Sequence, residues 1–152
     1  MTTPENQPNK IPASALYLGY SGLIPFVTLS TALWFVDESW KALAGNALFD
    51  YASVILAFMG AVYWGLQMQA HSRPDARLLV LSVIPALIAW FASFLPVSYG
   101  LSILYVAFTG LCILDSLSTK QGLLVAWYPK LRIPLTVIVV LSLISAQLAL
   151  IL

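Results

Sequence analysis

The amino-acid sequence predicts an all-α membrane protein, a compact bundle of five transmembrane helices with a short interfacial segment between the fourth and fifth helices. Two observations carry this prediction. Of the 152 residues, 61% are hydrophobic and only 9% are charged, whereas about a quarter of the residues in a soluble domain are charged. The charged residues also lie between long uncharged runs instead of being spread along the chain. Such a composition is typical of a protein that lies in a lipid bilayer.

Five runs of the chain contain no Asp, Glu, Lys, Arg or His. Each is about 20 residues long, the length of a helix that crosses a hydrocarbon core of about 30 Å. In lipid, a helix satisfies its own backbone hydrogen bonds. The predicted spans are 14–36, 51–70, 78–95, 97–114 and 133–152. They form one transmembrane domain, 14–152, and the polar residues 1–13 before it are expected to be a disordered cytoplasmic tail.

The basic residues predict how the bundle is oriented. Placing the N-terminus inside leaves only Lys41 on the outer side and gathers on the inner side Lys10, Arg73, Arg77, Lys120, Lys130 and Arg132. Basic residues accumulate on the cytoplasmic side of membrane proteins. We therefore expect a multi-pass protein of a bacterial inner membrane, with a cytoplasmic N-terminus and a periplasmic C-terminus.

Composition also excludes several classes of function. The formal net charge of +1 provides no basic surface for nucleic acid. A single cysteine, Cys112, excludes an internal disulfide and a thiolate metal cluster. No HExxH, P-loop or GxGxxG motif occurs. We expect no metal, no cofactor and no nucleic-acid partner.

The link 115–132 contains the predicted interfacial segment. Between Lys120 and Lys130 lies a short apolar stretch that ends in Trp127 and Tyr128. Aromatic residues flanked by cations are typical of the headgroup level of a membrane.

The second predicted span has two distinct faces. Its polar face contains Gly60, Trp64, Gln67 and His71, with Tyr63 beside it. Such a face either anchors the helix at the interface or lines a pocket. The other face has small residues at a four-residue spacing, which predicts a seam of helix packing or, alternatively, the contact of a homo-oligomer. These small residues are Ala57, Ala61 and Gly65.

Two prolines lie inside spans, Pro25 in the first and Pro85 in the third. Each removes a backbone donor and clashes with the preceding turn, so the carbonyls of Ser21 and Leu81 lose their usual partners. The kinks either shape the bundle or open a cavity between helices.

Two acidic residues lie at the edges of predicted spans. Asp50 precedes the second span, where the helix dipole would favour its charge. Asp115 follows the fourth span, and we expect it to form an ion pair with Arg132 because partly buried carboxylates require such partners. A proton relay is the alternative role for both acids.

The segment Gly19-Tyr20-Ser21-Gly22 has the GxSG form of rhomboid-type intramembrane proteases. A nucleophilic serine needs a base within hydrogen-bond reach, and the single histidine, His71, lies at the edge of another span. We therefore expect no enzyme and no catalytic residues.

Several segments together resemble a known family. They are 19–26, 51–65, 85–90 and 127–136, and they resemble a bacterial and mitochondrial membrane family, domain of unknown function 3429, which includes transmembrane protein 69. This family has no established activity, so the resemblance implies a topology and a shared set of positions. The matching positions are Pro25, Trp64, Pro85, Trp90, Asp115, Trp127, Tyr128 and Arg132.

Two function classes follow from these observations. The first is a non-enzymatic bundle, which acts as an accessory or assembly factor within a larger membrane complex or binds a lipophilic small molecule. The second is a small transporter or a proton or ion channel that uses Asp115, His71, Gln67 and Tyr63. The lack of an ionisable residue deep in a span argues against the second class.

Overall fold

A computed structural model describes residues 10–69 and 74–152. Within these ranges the chain forms helices and no strand. The helices are α1 (Ala13–Ser21), α2 (Ile24–Ala32), α3 (Glu38–Met68), α4 (Ala76–Ala92), α5 (Val97–Lys120) and α6 (Tyr128–Ile151). Because α1 and α2 form one apolar segment, Ala13–Ala32, the bundle has five helical units, which confirms the predicted fold class.

Four of these units, the segment α1–α2 and helices α3, α5 and α6, are long and apolar enough to cross a membrane. Helix α4 is shorter, with 17 residues. The N–H groups of Ser93, Phe94 and Leu95 each donate to a carbonyl three residues earlier, at 3.2 Å. This tight turn continues the helical path of α4 to Leu95, where the third predicted span ends.

The first unit bends at Gly22 and Leu23, just before Pro25. Proline cannot donate to the carbonyl of Ser21, and the regular helix is interrupted there. The hydroxyl of Tyr51 in α3 donates to the carbonyl oxygen of Gly22 at 3.0 Å. The regular helix is thus interrupted just before Pro25, and the interruption is tied to the neighbouring helix.

Several helices extend beyond the uncharged runs. Residues 38–50, which lie between the first two predicted spans, belong to α3. Asp50 is therefore an exposed residue inside that helix, and our prediction that it lies at the helix N-terminus was wrong. Residues 115–120 and 128–132, expected to belong to a link, lie in α5 and α6. The reason is that a helix tolerates charged residues, whereas hydropathy marks only the part that is apolar. Only 121–127 remain non-helical in this connection.

Helix α3 lies at the centre of the bundle and contacts α2, α4, α5 and α6. Its closest approach is to α4, where an ideal Cβ on Gly60 would lie 2.7 Å from the carbonyl oxygen of Ser82 and 2.8 Å from Cγ of Pro85. The small-residue face was predicted to form a packing seam or the contact of a homo-oligomer. Ala61 and Gly65 are exposed, whereas Ala57 is partly buried and lines a groove between α3 and α4. The seam within the chain is therefore made by Gly60, because that residue faces α4.

Two predictions concern residues outside the described ranges. The expected tail, 1–13, falls largely within residues 1–9, and its last residue, Ala13, is the first residue of α1. His71 also lies outside the described ranges.

Candidate functional site

A buried ion pair joins α5 to α6. The Nε atom of Arg132 donates to Oδ2 of Asp115 at 3.0 Å. Asp115 is 0% exposed and Arg132 is 6% exposed. The pairing predicted from the sequence is therefore present, and both charges lie inside the bundle.

Helix α3 completes this cluster. The hydroxyl of Tyr63 donates to Oδ1 of Asp115 at 2.9 Å and lies 3.0 Å from Oγ of Ser118. Since the tyrosine proton is directed to the carboxylate, the serine hydroxyl donates to the tyrosine oxygen. We call Tyr63, Asp115, Ser118 and Arg132 the polar cluster. It links three helices, and each carboxylate oxygen of Asp115 has a donor.

Helix α5 continues past Asp115 and Ser118 and ends at Lys120. Gly122 has a positive φ of 77°, and its N–H donates to the carbonyl of Thr119, while the N–H of Leu123 donates to that of Ser118. This is a Schellman ending. It terminates α5 at Lys120, beyond Asp115. Asp115 and Ser118, three residues apart, consequently share one face of the helix.

The energetics of the cluster depend on all its members. Removing two charges from water is costly, and their attraction repays that cost only with good geometry and satisfied hydrogen bonds. Here Asp115 is fully satisfied, but the guanidinium is not. Nη2 of Arg132 is buried and has no hydrogen-bond partner.

A cavity of about 340 Å³ lies beside this guanidinium. It is bounded by α1, α2, α3, α5 and α6, and apolar side chains make up most of its wall, among them Leu18, Phe26, Met59 and Leu135. Its polar side chains are Tyr128 and Arg132. We call this space the Arg132 cavity. Its volume lies within the range of small-molecule sites, roughly 300–1,000 Å³.

Two donors without partners belong to residues that line the cavity, and each donor atom is itself buried. They are Nη2 of Arg132 and the hydroxyl of Tyr128. Buried polar groups are nearly always hydrogen-bonded, so these two atoms are exceptions within the described residues.

Two further recesses lie elsewhere on the bundle. A groove of about 500 Å³ between α5 and α6 is lined by Cys112, Lys120 and Thr136, among others. A groove of about 420 Å³ between α3 and α4 is lined by Asp50 and Trp90, among others. Both are more open than the Arg132 cavity.

The remaining predicted positions lie apart from the polar cluster. Trp64 and Trp90 are exposed on the outside of the bundle. Gln67 accepts a hydrogen bond from the backbone N–H of Asp75 at 2.7 Å, which fastens the connection between α3 and α4. Trp127 directly precedes α6 and contacts Tyr128 edge to face, with ring centroids 6.2 Å apart.

The prolines and the GxSG segment have local roles. Pro85 is buried and faces Gly60, and Pro25 lies at the start of α2. The hydroxyl of Ser21 donates to the carbonyl of Tyr17 in its own helix.

Sequence reasoning missed two members of this region. Ser118 could have been found from its spacing to Asp115, since residues three apart on a helix are neighbours. Tyr51 gave no comparable signal, because its partner is a backbone carbonyl at a kink in another helix.

Comparison with known proteins places the chain in a family. Residues 11–148 match the family described as "Protein of unknown function (DUF3429)". The chain belongs to this family. The match covers α1 to α5 completely and most of α6, and with them the whole polar cluster.

Curated relatives carry the name Transmembrane protein 69. The protein from Xenopus tropicalis is 34% identical over 138 residues, which is 89% of this chain and 54% of the relative. That from Mus musculus is 34% identical over 83 residues, 53% of this chain and 34% of the relative. The chain therefore spans about half the length of the Xenopus protein. No solved structure matches the chain.

Proposed function

We propose that this protein is a non-enzymatic membrane bundle that binds a lipophilic molecule in the Arg132 cavity. The observation that carries the proposal is that Arg132, a residue lining a largely apolar space, has a buried Nη2 without a partner. An unsatisfied buried donor costs about 1–3 kcal/mol, more for a charged group. A ligand with an acceptor would recover this free energy, and the apolar wall would hold its hydrocarbon part.

The same bundle would serve as an accessory or assembly factor of a larger membrane complex. The polar cluster supports this role because it ties α3, α5 and α6 together by side-chain hydrogen bonds. Helices that are joined in this way keep their relative positions and therefore present a defined binding surface to a partner protein.

We further propose a bacterial inner membrane as its location, with the N-terminus cytoplasmic and the C-terminus periplasmic. The distribution of Lys and Arg supports this orientation.

The proposal is tested by identifying the lipophilic molecules that copurify with the protein. Ala15 in α1 lines the cavity and is partly buried, so Ala15→Phe places a ring in that space. Ala47 is exposed on α3 and lines none of the three recesses, which makes Ala47→Phe the matched control. Organic extracts of the protein, purified in a mild detergent, are compared by mass spectrometry.

We expect a lipophilic compound that accompanies the wild type and Ala47→Phe and is depleted in Ala15→Phe. Equal contents in all three proteins, or no compound beyond that found with an unrelated membrane protein, would contradict the proposal.

A proton or ion pathway through Asp115, His71, Gln67 and Tyr63 is the second candidate. The hydrogen-bond chain from Ser118 through Tyr63 to Asp115 favours it. Against it, Gln67 bonds to the amide of Asp75 instead of joining this chain. Flux across proteoliposomes that disappears in Asp115→Asn would support the pathway, and no flux under proton or cation gradients would remove it.

A further inference from the structure

We infer that the molecule in the Arg132 cavity carries a neutral carbonyl-type acceptor at its polar end, as an acyl ester or a quinone does. This inference rests on the proposed function and specifies the chemical class of the ligand. Three features of the site lead to it: the kind of hydrogen-bonding groups that are free, the charge already present, and the nature of the wall.

The unpartnered groups on residues that line the cavity are donors. A guanidinium has N–H groups and no acceptor, and a tyrosine hydroxyl can donate one hydrogen bond. Nη2 of Arg132 and the hydroxyl of Tyr128 are both buried without partners. A ligand that satisfies both must present an acceptor oxygen, and a carbonyl oxygen has two lone pairs for this purpose.

The charge at the site is already balanced. The carboxylate of Asp115 lies 3.0 Å from Nε of Arg132 and neutralises it. Among the described residues that line the cavity, Arg132 is the only charged one. A carboxylate or phosphate on the ligand would therefore bring a net negative charge into the bundle interior, where an unpaired charge is costly. A neutral carbonyl adds no charge.

The wall of the cavity indicates the chemistry of the remaining part of the ligand. Leu18, Phe26, Phe58 and Leu135 are among the apolar residues that line the cavity, so the atoms next to the acceptor are hydrocarbon. Both ligand classes meet this condition. The carbonyl of an acyl ester is attached to an alkyl chain, and that of a quinone belongs to a ring.

The test measures dissociation constants by calorimetry in micelles of a maltoside detergent, which has no carbonyl group. Four probes of similar chain length are compared: methyl dodecanoate as an ester, a decyl-substituted benzoquinone, decylbenzene without an acceptor, and dodecanoate as an anion. Tyr128→Phe removes one free donor. Tyr99→Phe, at an exposed tyrosine of α5 outside the cavity, is the matched control.

We expect the ester or the quinone to bind more tightly than decylbenzene and dodecanoate. Loss of one hydrogen bond weakens binding about tenfold, so Tyr128→Phe should raise the dissociation constant of the carbonyl probe by that factor. Binding of decylbenzene should not change in Tyr128→Phe, and Tyr99→Phe should behave as the wild type. Whether the ester or the quinone binds more tightly identifies the source of the carbonyl.

The outcomes separate the two proposals. If decylbenzene binds as tightly as the carbonyl probes and Tyr128→Phe has no effect, the carbonyl assignment is wrong while the cavity still binds lipophiles. Tighter binding of dodecanoate would also overturn it, in favour of an anionic ligand. If no probe binds and Ala15→Phe copurifies with the same compounds as the wild type, the proposed function itself fails.

Discussion

Arg132 and Asp115 lie 3.0 Å apart in the interior of the bundle, although they stand at the two ends of what the hydropathy pattern marks as a loop. The pair is buried because α5 continues to Lys120 and α6 begins at Tyr128. The connection between them is short, and the last turn of one helix therefore faces the first turns of the next.

Breaking this pair should destabilise the protein strongly. In Asp115→Asn the guanidinium of Arg132 stays buried without a counter-charge, which costs about 3–5 kcal/mol for a buried pair. We expect the free energy of unfolding in detergent micelles, measured by denaturant titration, to fall by this amount.

Asp50→Asn is the control for the loss of a carboxylate, because Asp50 is exposed and exposed substitutions change stability by less than about 0.5 kcal/mol. The double variant Asp115→Leu with Arg132→Met should be more stable than Asp115→Asn, because it removes both charges. Equal stabilities of Asp115→Asn and Asp50→Asn would contradict this prediction.

The hydroxyl of Tyr63 should contribute to stability through two hydrogen bonds. Tyr63→Phe leaves Oδ1 of Asp115 without that donor and Ser118 without an acceptor, at an expected cost of about 1–3 kcal/mol. The same denaturant titration measures the change. Tyr99→Phe, at an exposed site, should be neutral, and an equally neutral Tyr63→Phe would show that the hydroxyl is not held as described.

Two glycines of α3 should respond in opposite ways to alanine. Gly60→Ala places Cβ 2.7 Å from a backbone oxygen of α4, so the helices must separate and stability should fall by about 1–3 kcal/mol, as in overpacked cores. At Gly65 an added Cβ meets nothing within 4 Å, and Gly65→Ala should stabilise the helix by about 0.5–1 kcal/mol. Thermal unfolding of both variants provides the comparison. Similar changes in the unfolding temperature of the two variants would contradict a close contact between α3 and α4 at Gly60.

The proposed orientation predicts which loops a membrane-impermeant thiol reagent reaches. In a Cys112→Ala background, Ser39→Cys at the start of α3 should be labelled in intact bacterial cells. Gln121→Cys, in the exposed turn after α5, should be labelled only after the membrane is permeabilised, because basic loops stay in the cytoplasm. The reverse labelling pattern would contradict the proposed orientation.

Much of the candidate site could be read from the sequence, but not its geometry. The pairing of Asp115 with Arg132 was predictable, since a carboxylate near lipid requires a cation and the next helix offers one. Tyr63 was placed beside the polar face that contains Trp64 and Gln67. In the structure Tyr63 is buried in the bundle, while Trp64 is exposed and Gln67 bonds to the backbone N–H of Asp75. Neighbouring residues on a helix point in different directions, and only contacts with other helices decide which of them is buried.

The sequence by itself determined that this chain is a helical membrane protein, because a backbone in lipid must satisfy its own hydrogen bonds and uncharged runs of this length do so as helices. It also determined the interruption of the helix before Pro25, through the missing donor. Tertiary structure alone decided that Gly60, and not the face of Ala61 and Gly65, meets another helix. It also decided that Tyr128 and Arg132 border one cavity with unpaired donors. Such features depend on how five helices are rotated against one another, and that rotation arises from many small packing contacts distributed over the whole chain.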